Sequence, residues 1–299
     1  MKLIVTIAAV LPLGLLMFSH LGAVHPLGDS LAVFRPYILG LGLIGLALLL
    51  WQGHWWLSLF GTGICLLSAV SLAAAYLQGR PAPDAPYSMY QKNLSYRLQD
   101  LSPIIQDLRT QAPDFISLQE VTPHNRQILK ALEGSYPAQQ FCAFEAVGGV
   151  AVASRWPKIG GSGECIDKSG LAAMQVRTPD GPVWVVALHL HWPYPFNQAP
   201  QVRKLARDIA GLLAANPAPV VLGGDFNMVA WSHTLRRIST ASGTRRVGGV
   251  RPSFPMLNGW LTLPIDHVLV SKNDKPANAS LRPLLGSDHR GLLARFHLR

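Results

Sequence analysis

Charge is what the first quarter of this sequence lacks. Residues 1–77 of the 299 contain only Lys2, Asp29 and Arg35, and from Pro36 to Gly79 there is no Asp, Glu, Lys or Arg, a run of 44 residues. One helical crossing of a bilayer needs about 20 apolar residues, so two crossings fit. They would turn at Gln52-Gly53-His54, with Trp51 on one side and Trp55-Trp56 on the other as interfacial aromatics. Such a run is foreign to a water-facing fold, where the backbone would have no membrane to explain it. Lys2 precedes a further uncharged stretch, Leu3–Ser19, which would be a third span or a secretory signal. No small-x-small cleavage pattern follows Ser19, which favours a span.

Cysteine is scarce as well. Cys65 lies in the apolar run, and only Cys142 and Cys165 lie beyond it, with no CxxC pair and no zinc-ligand spacing. Those two would form a disulfide closing a loop of about 24 residues, or remain as two buried thiols. No internal repeat of elements is present.

What the N-terminal region lacks, the rest holds. Residues 78–299 carry 24 of the 26 basic and 15 of the 16 acidic residues, a domain of about 220 residues with room for a sizeable core. Its basic excess suits anionic partners: nucleic acid, phospholipid headgroups or the membrane surface. Arg236, Arg237, Arg245, Arg246 and Arg251 would grip phosphates or belong to a solvated loop. The Pro-rich GRPAPDAPY stretch reads as a linker. The expected organisation is therefore a membrane region with three transmembrane helices over 1–78, a linker over 79–89 and a soluble domain over 90–299.

In that domain apolar strands alternate with helical patterns. Tyr90–Leu94, Asp114–Val121, Gly148–Ser154, Val183–His191, Val220–Asn227, Leu263–Val270 and Leu292–Leu298 read as strands, and Arg97–Arg109, His124–Leu132 and Val202–Leu213 as helices. Strand ends repeatedly carry chemistry: Asn93, Glu120, His189, Asp225, Asn227, Asp266, Asp288 and His289. In layered α/β proteins such ends are where functional side chains converge. Period-two alternation also puts His191 on the face of His189.

The order and wording of the motifs resemble the endonuclease/exonuclease/phosphatase superfamily. The matching stretches are KNL with Asn93, LQEV with Glu120, SRWP, ALHLHWP, GGDFN, PIDHVLV and GSDHRGLLA. The resemblance implies a four-layer α/β/β/α sandwich of the deoxyribonuclease I type and metal-dependent hydrolysis of phosphate esters. It implies that Glu120, with Asn93 and Asp288, holds Mg2+ or Mn2+. Asp225 would orient or deprotonate the attacking water and Asn227 would help hold it. His289, paired with Asp266, would contact the scissile phosphate. His189 matches the second family histidine, with Glu145 as a positional candidate for its acid, while Arg155 and His191 would contact substrate.

The chemistry stands on its own terms. A phosphodiester repels hydroxide, so a hard cation held by carboxylates and a histidinium fixed by a carboxylate answer the charge of the reaction. The sequence thus points to a membrane-anchored phosphodiesterase of nuclease type. Alternatives are a phosphoesterase of phospholipid or inositol-phosphate headgroups, or an idle binding module of the same fold. No obligate protein partner is implied. Lys2 on the cytoplasmic side would place the domain on the periplasmic side of a bacterial inner membrane; a cleaved signal followed by two spans gives the same side.

Overall fold

The computed structural model describes residues 1–78, 85–166 and 169–298. Helices α1 (Lys2–Phe18), α2 (Pro26–Val33), α3 (Arg35–Trp51) and α4 (Trp55–Tyr76) open the chain. They are followed by β1 (Tyr87–Asn93), α5 (Ser102–Gln111), β2 (Phe115–Val121), α6 (Gln127–Leu132), β3 (Ala138–Glu145) and β4 (Gly148–Ser154). Next come β5 (Glu164–Ile166), β6 (Leu171–Thr178), β7 (Gly181–His189), α7 (Gln198–Ala215), β8 (Val220–Asp225) and α8 (His233–Ala241). The chain closes with β9 (Thr244–Arg246), β10 (Phe254–Met256), β11 (Leu261–Leu263), β12 (Asp266–Ser271), β13 (Lys275–Leu281) and β14 (Leu292–His297).

Two six-stranded mixed sheets, ordered β13-β14-β1-β2-β4-β3 and β5-β6-β7-β8-β12-β9, pack face to face. Alternation along each strand decides the layers. In β7, Val183, Val185 and Ala187 enter the core between the sheets, while Trp184, Val186 and Leu188 face the outer layer with Val202, Leu205 and Ile209 of α7. On the other side, Ile104, Leu108, Ile128 and Leu129 of α5 and α6 cover Ile116 and Leu118 of β2. The result is the expected helix–sheet–sheet–helix sandwich.

Several boundaries move for local reasons. The helix read over Arg97–Arg109 starts at Ser102, because Pro103 suits only the first turn of a helix; Leu98 and Leu101 still join its cluster from the preceding loop. Pro264 splits the strand read over Leu263–Val270 into β11 and β12. Residues 79–84 of the linker lie outside the described residues, and β1 already begins at Tyr87.

Of the three expected spans the structure supports one candidate, or two if α2 and α3 are counted as a single bent span. The turn falls at Gln52–His54 as read, and Trp51, Trp55 and Trp56 are exposed there. One helix, α4 with 22 residues, is long and apolar enough to cross a membrane. Helices α1 and α3 have 17 residues each, a rise of about 26 Å against a hydrocarbon core of about 30 Å. Unforeseen is α2, bent by 82° from α3.

That short helix docks on the sandwich. Both oxygens of Asp29 accept 2.8 Å hydrogen bonds from the first amides of α8, His233 and Thr234, where the helix dipole favours a carboxylate. Trp231 Nε1 donates to the Ala32 carbonyl at 2.7 Å. The N-terminal region is a packed part of the fold.

Cys142 and Cys165 are joined, with a Cα–Cα distance of 5.4 Å, linking β3 of one sheet to β5 of the other at their edge. Replacing both by alanine is expected to lower the unfolding free energy by about 3 kcal/mol. Urea denaturation of the full-length protein measures it, and an unchanged midpoint would refute this stabilising role.

Candidate active site

The site forms where β1, β2, β7, β8 and β12 end together. The glycines of GGDFN make this possible. Gly223 faces the opposite sheet so closely that a Cβ would lie 2.8 Å from Met89 Sδ and 2.9 Å from Ser117 Cβ, and Ser117 Oγ donates to its carbonyl at 2.7 Å. Register then sets Asp225 beside His189 on β7 and Asp266 on β12. A bulge in β2 between Leu118 and Val121 re-aims Glu120, which adopts φ +54. Asn227, just past β8, has φ +47. Left-handed backbone at two non-glycine residues is strain of the kind stored at functional sites.

Asn93 Nδ2 spans two carboxylates, donating at 3.0 Å to Glu120 Oε1 and at 3.0 Å to Asp225 Oδ2. Its Oδ1 accepts from the Ser95 amide at 2.9 Å. The other oxygen of Glu120 accepts from the Tyr96 amide at 2.7 Å. Asp225 Oδ1 accepts from the Asn227 amide at 2.9 Å, and Asp225 Oδ2 lies 3.7 Å from Nε2 of both His189 and His289. His289 Nδ1 sits 2.8 Å from Asp266 Oδ2.

Electrostatics separate the two histidines. Burial pulls His189 down to about 4, so it is neutral at pH 7. Burial would also lower His289, but the carboxylates of Asp266 and Asp225 outweigh it and hold the ring up to about 9. Asp266 stays low despite its burial, through the His289 charge and hydrogen bonds from His289, Ser253 and Gln91. Burial raises Asp225 to about 7 against the pull of His289.

Asp288 is exposed on the wall of the same cavity, of about 500 Å3, which Phe144, Trp192, Phe196 and Phe254 line with aromatic surface. His191 lies on this wall too, its Nε2 3.8 Å from Glu145 Oε1. Glu145 therefore pairs with His191, and it is His189 that reaches Asp225. Arg155 is corrected. Its guanidinium binds the Ala112 and Pro113 carbonyls and Asp114, at the start of β2, whereas Glu120 stands at the far end of that strand. The Arg-rich 236–251 stretch is also away from the cavity, on α8, β9 and the segment after it.

Sequence reading missed the supporting groups. Gln91 Nε2 donates to Asp266 Oδ1 at 2.7 Å, and buried Lys92 Nζ donates to the carbonyls of Pro283, Leu284 and His289, tying down the loop that carries His289. Lys92 stands inside the KNL motif and Gln91 two residues before Asn93 on the same strand; that adjacency was the available signal.

The donor set fits a hard divalent cation. Glu120, Asp225 and Asp288 supply carboxylate oxygens around one cavity, and Asn227 Oδ1 is buried with no hydrogen-bond partner. Ligand atoms of Asp225, Asp266 and His289 also lie within 4.8 Å of one another. There, however, Asp266 and His289 are spent on each other, and a protonated imidazole offers no lone pair.

A model of the Endonuclease/Exonuclease/phosphatase family matches residues 52–289. No curated protein matches the sequence. Among solved structures, an endonuclease/exonuclease/phosphatase from Beutenbergia cavernae is 20% identical, with 71% of each chain covered and a TM-score of 0.53. D. rerio TDP2 complexed with single strand DNA product is 17% identical over 71% of this chain and 99% of that one, with a TM-score of 0.55. Staphylococcus aureus beta toxin with bound magnesium ions is 12% identical over 70% and 98%, with a TM-score of 0.53.

If cationic His289 is needed, kcat/KM falls as pH rises through about 9, and it falls on the acid side as Asp225 protonates near 7. Asp266→Asn removes the carboxylate that raises His289, so the alkaline limb should move down towards the ordinary histidine value. A pH profile with that limb unmoved would rule out the pairing as the source of the charge.

Proposed function

The chain belongs to the endonuclease/exonuclease/phosphatase family and is a metal-dependent phosphoester hydrolase; from this we propose that it is a membrane-anchored phosphodiesterase of nuclease type. The observation that carries the reading is the convergence at one set of strand ends of Glu120, Asp225, Asn227, His189 and His289, which line a single cavity, with Asn93 and Asp266 buried against them.

Each residue has a role its surroundings suit. Glu120, with Asp288 on the same wall, would hold Mg2+ or Mn2+, and Asn93 keeps Glu120 and Asp225 at fixed separation. When bound, the cation would neutralise charge on the phosphate oxygens and make water more acidic. Asp225 orients the attacking water and takes its proton, its raised pKa bringing it close to neutrality where a base works best. Asn227 adds a buried amide to hold that water or a phosphate oxygen. Cationic His289, locked by Asp266, donates to the phosphate as negative charge accumulates. Neutral His189 donates to a second phosphate oxygen or to the leaving group. His191 and the aromatic walls hold the rest of the substrate.

Single-stranded DNA is a substrate candidate in view of the TDP2 complex. A phospholipid headgroup is the second reading, favoured by contacts between the N-terminal region and the cavity rim. Ser30 Oγ donates to Tyr194 O at 2.9 Å, in the loop carrying Trp192 and Phe196, and Tyr37 OH donates to Thr262 O at 3.2 Å, on the strand paired with Phe254. Both would bring the mouth near a bilayer.

For location we read α4 as a membrane span, with α1 and α3 packed beside it, and the sandwich on the periplasmic side of a bacterial inner membrane. Support comes from apolar side chains left bare on these helices, such as Leu43, Ile44, Leu59, Phe60, Leu66 and Val70, and from a disulfide, which persists in oxidising compartments. Protease added to intact spheroplasts should digest the sandwich; protection until the membrane is permeabilised would reverse the orientation.

The full-length protein should hydrolyse a phosphodiester only with a divalent ion, losing activity in EDTA and regaining it with magnesium or manganese. Asp225→Asn should lower kcat by about two to four orders of magnitude without loss of fold. Parallel assays on single-stranded DNA and on phospholipid vesicles separate the two substrates, and full turnover in EDTA would sink the mechanism.

A further inference from the structure

Two buried guanidiniums lie outside the active site, and among the described residues their cavity holds one carboxylate, Asp29, whose charge acts on Arg35. Arg35, 3% exposed, donates from Nε to Ser19 Oγ at 3.0 Å, from Nη1 to Ser71 Oγ at 3.3 Å and from Nη2 to the Ser19 carbonyl. Arg246, 7% exposed, donates from Nη2 to the Ala75 carbonyl at 2.6 Å and to Gln78 Oε1 at 2.8 Å. Neutral oxygens satisfy N–H groups but leave the charge standing, and buried charge is costly unless countered. Among the described residues neither arginine forms an ion pair.

Both line one cavity of about 460 Å3, where the N-terminal helices meet α8. Arg236, exposed on α8, and the imidazoles of His20 and His233 share its wall. Its one acid among the described residues is Asp29, whose two oxygens are already taken by the amides that start α8. Three guanidiniums thus face a single carboxylate, which offsets one of the three positive charges, and the hydroxyls of Ser19 and Ser71 add neutral hydrogen-bonding groups.

We propose that this junction is a binding site for a phosphate-bearing anion, gripped by Arg35, Arg236 and Arg246 and separate from the catalytic cavity. Guanidinium forks match phosphate oxygens in geometry and charge. The wall comprises the end of α1, the start of α3 and the end of α4, the ends opposite Trp51, Trp55 and Trp56. With α4 across a bilayer, that is the level of the lipid headgroups. A phospholipid headgroup and free phosphate share this chemistry.

Full-length protein in detergent separates the sources. Native mass spectrometry with added phosphatidylglycerol should show a retained adduct that phosphatidylcholine does not give. Arg236→Gln with Arg246→Gln should weaken it by about tenfold or more, the scale of losing charged hydrogen bonds. Should buried Arg246 prove necessary for folding, exposed Arg236→Glu alone provides the comparison. A melting temperature raised by inorganic phosphate in the parent and not in the variant, with no lipid adduct, assigns the site to free phosphate. Equal adducts with both lipids, equal binding in parent and variant, or no response to either anion overturns the proposal. None of these readouts uses turnover, so they stand or fall apart from the proposed catalytic reading.

Discussion

A carboxylate and an imidazole 2.8 Å apart, both buried at the strand ends beneath the cavity, are what the rest of the site depends on. Asp266 could not remain ionised there alone, and His289 could not remain charged; each stabilises the charged form of the other. The surrounding structure then falls into place as a second tier. Gln91 from the opposite sheet and Ser253 fix Asp266, Lys92 and Ser287 fix the loop of His289, and Asp225 feels the resulting positive charge at 3.7 Å.

Much of this was legible in the chain. Alternation marked β7 and the buried run marked β8, and the side chains at their ends were the ones that converge. GGDFN is readable because its glycine at 223 has no room for a side chain. Other parts left no local signal. Strands β3, β5 and β13 are polar or short and sit at or near sheet edges, so burial imposes no clear period on them. Glu120 reaches the cavity only because β2 bulges, and a bulge depends on the partner strand, where Gly148 leaves space for it.

Two residues show where motif and environment part. Arg155 follows a strand as a substrate-contacting residue would, but its strand runs antiparallel to β2, so the end of β4 is remote from the end of β2. His191 and His189 are two apart and were expected to be equivalent by face; β7 stops at His189, and the chain then turns His191 towards Glu145. The arginine-rich stretch divides: Arg245 and Arg251 bind the carbonyls of Asp274 and Ala279, while Arg236 and Arg246 line the cavity at the N-terminal helices.

The seam with the N-terminal helices changes what the molecule's smallest autonomous unit is. The region ahead of residue 79 contains a single acid, Asp29, and spends it on two amides of the catalytic sandwich. Ala32, Val33 and Leu72 lie in the same apolar cluster as Trp231, Val202 and Leu235. A fragment cut at the linker would begin life with two first-turn amides of α8 and an indole lacking their acceptors, and with a bare hydrophobic wall. The outer helical layer has borrowed a piece from the N-terminal region, so here the boundary between that region and the sandwich runs through the hydrophobic core instead of between two domains.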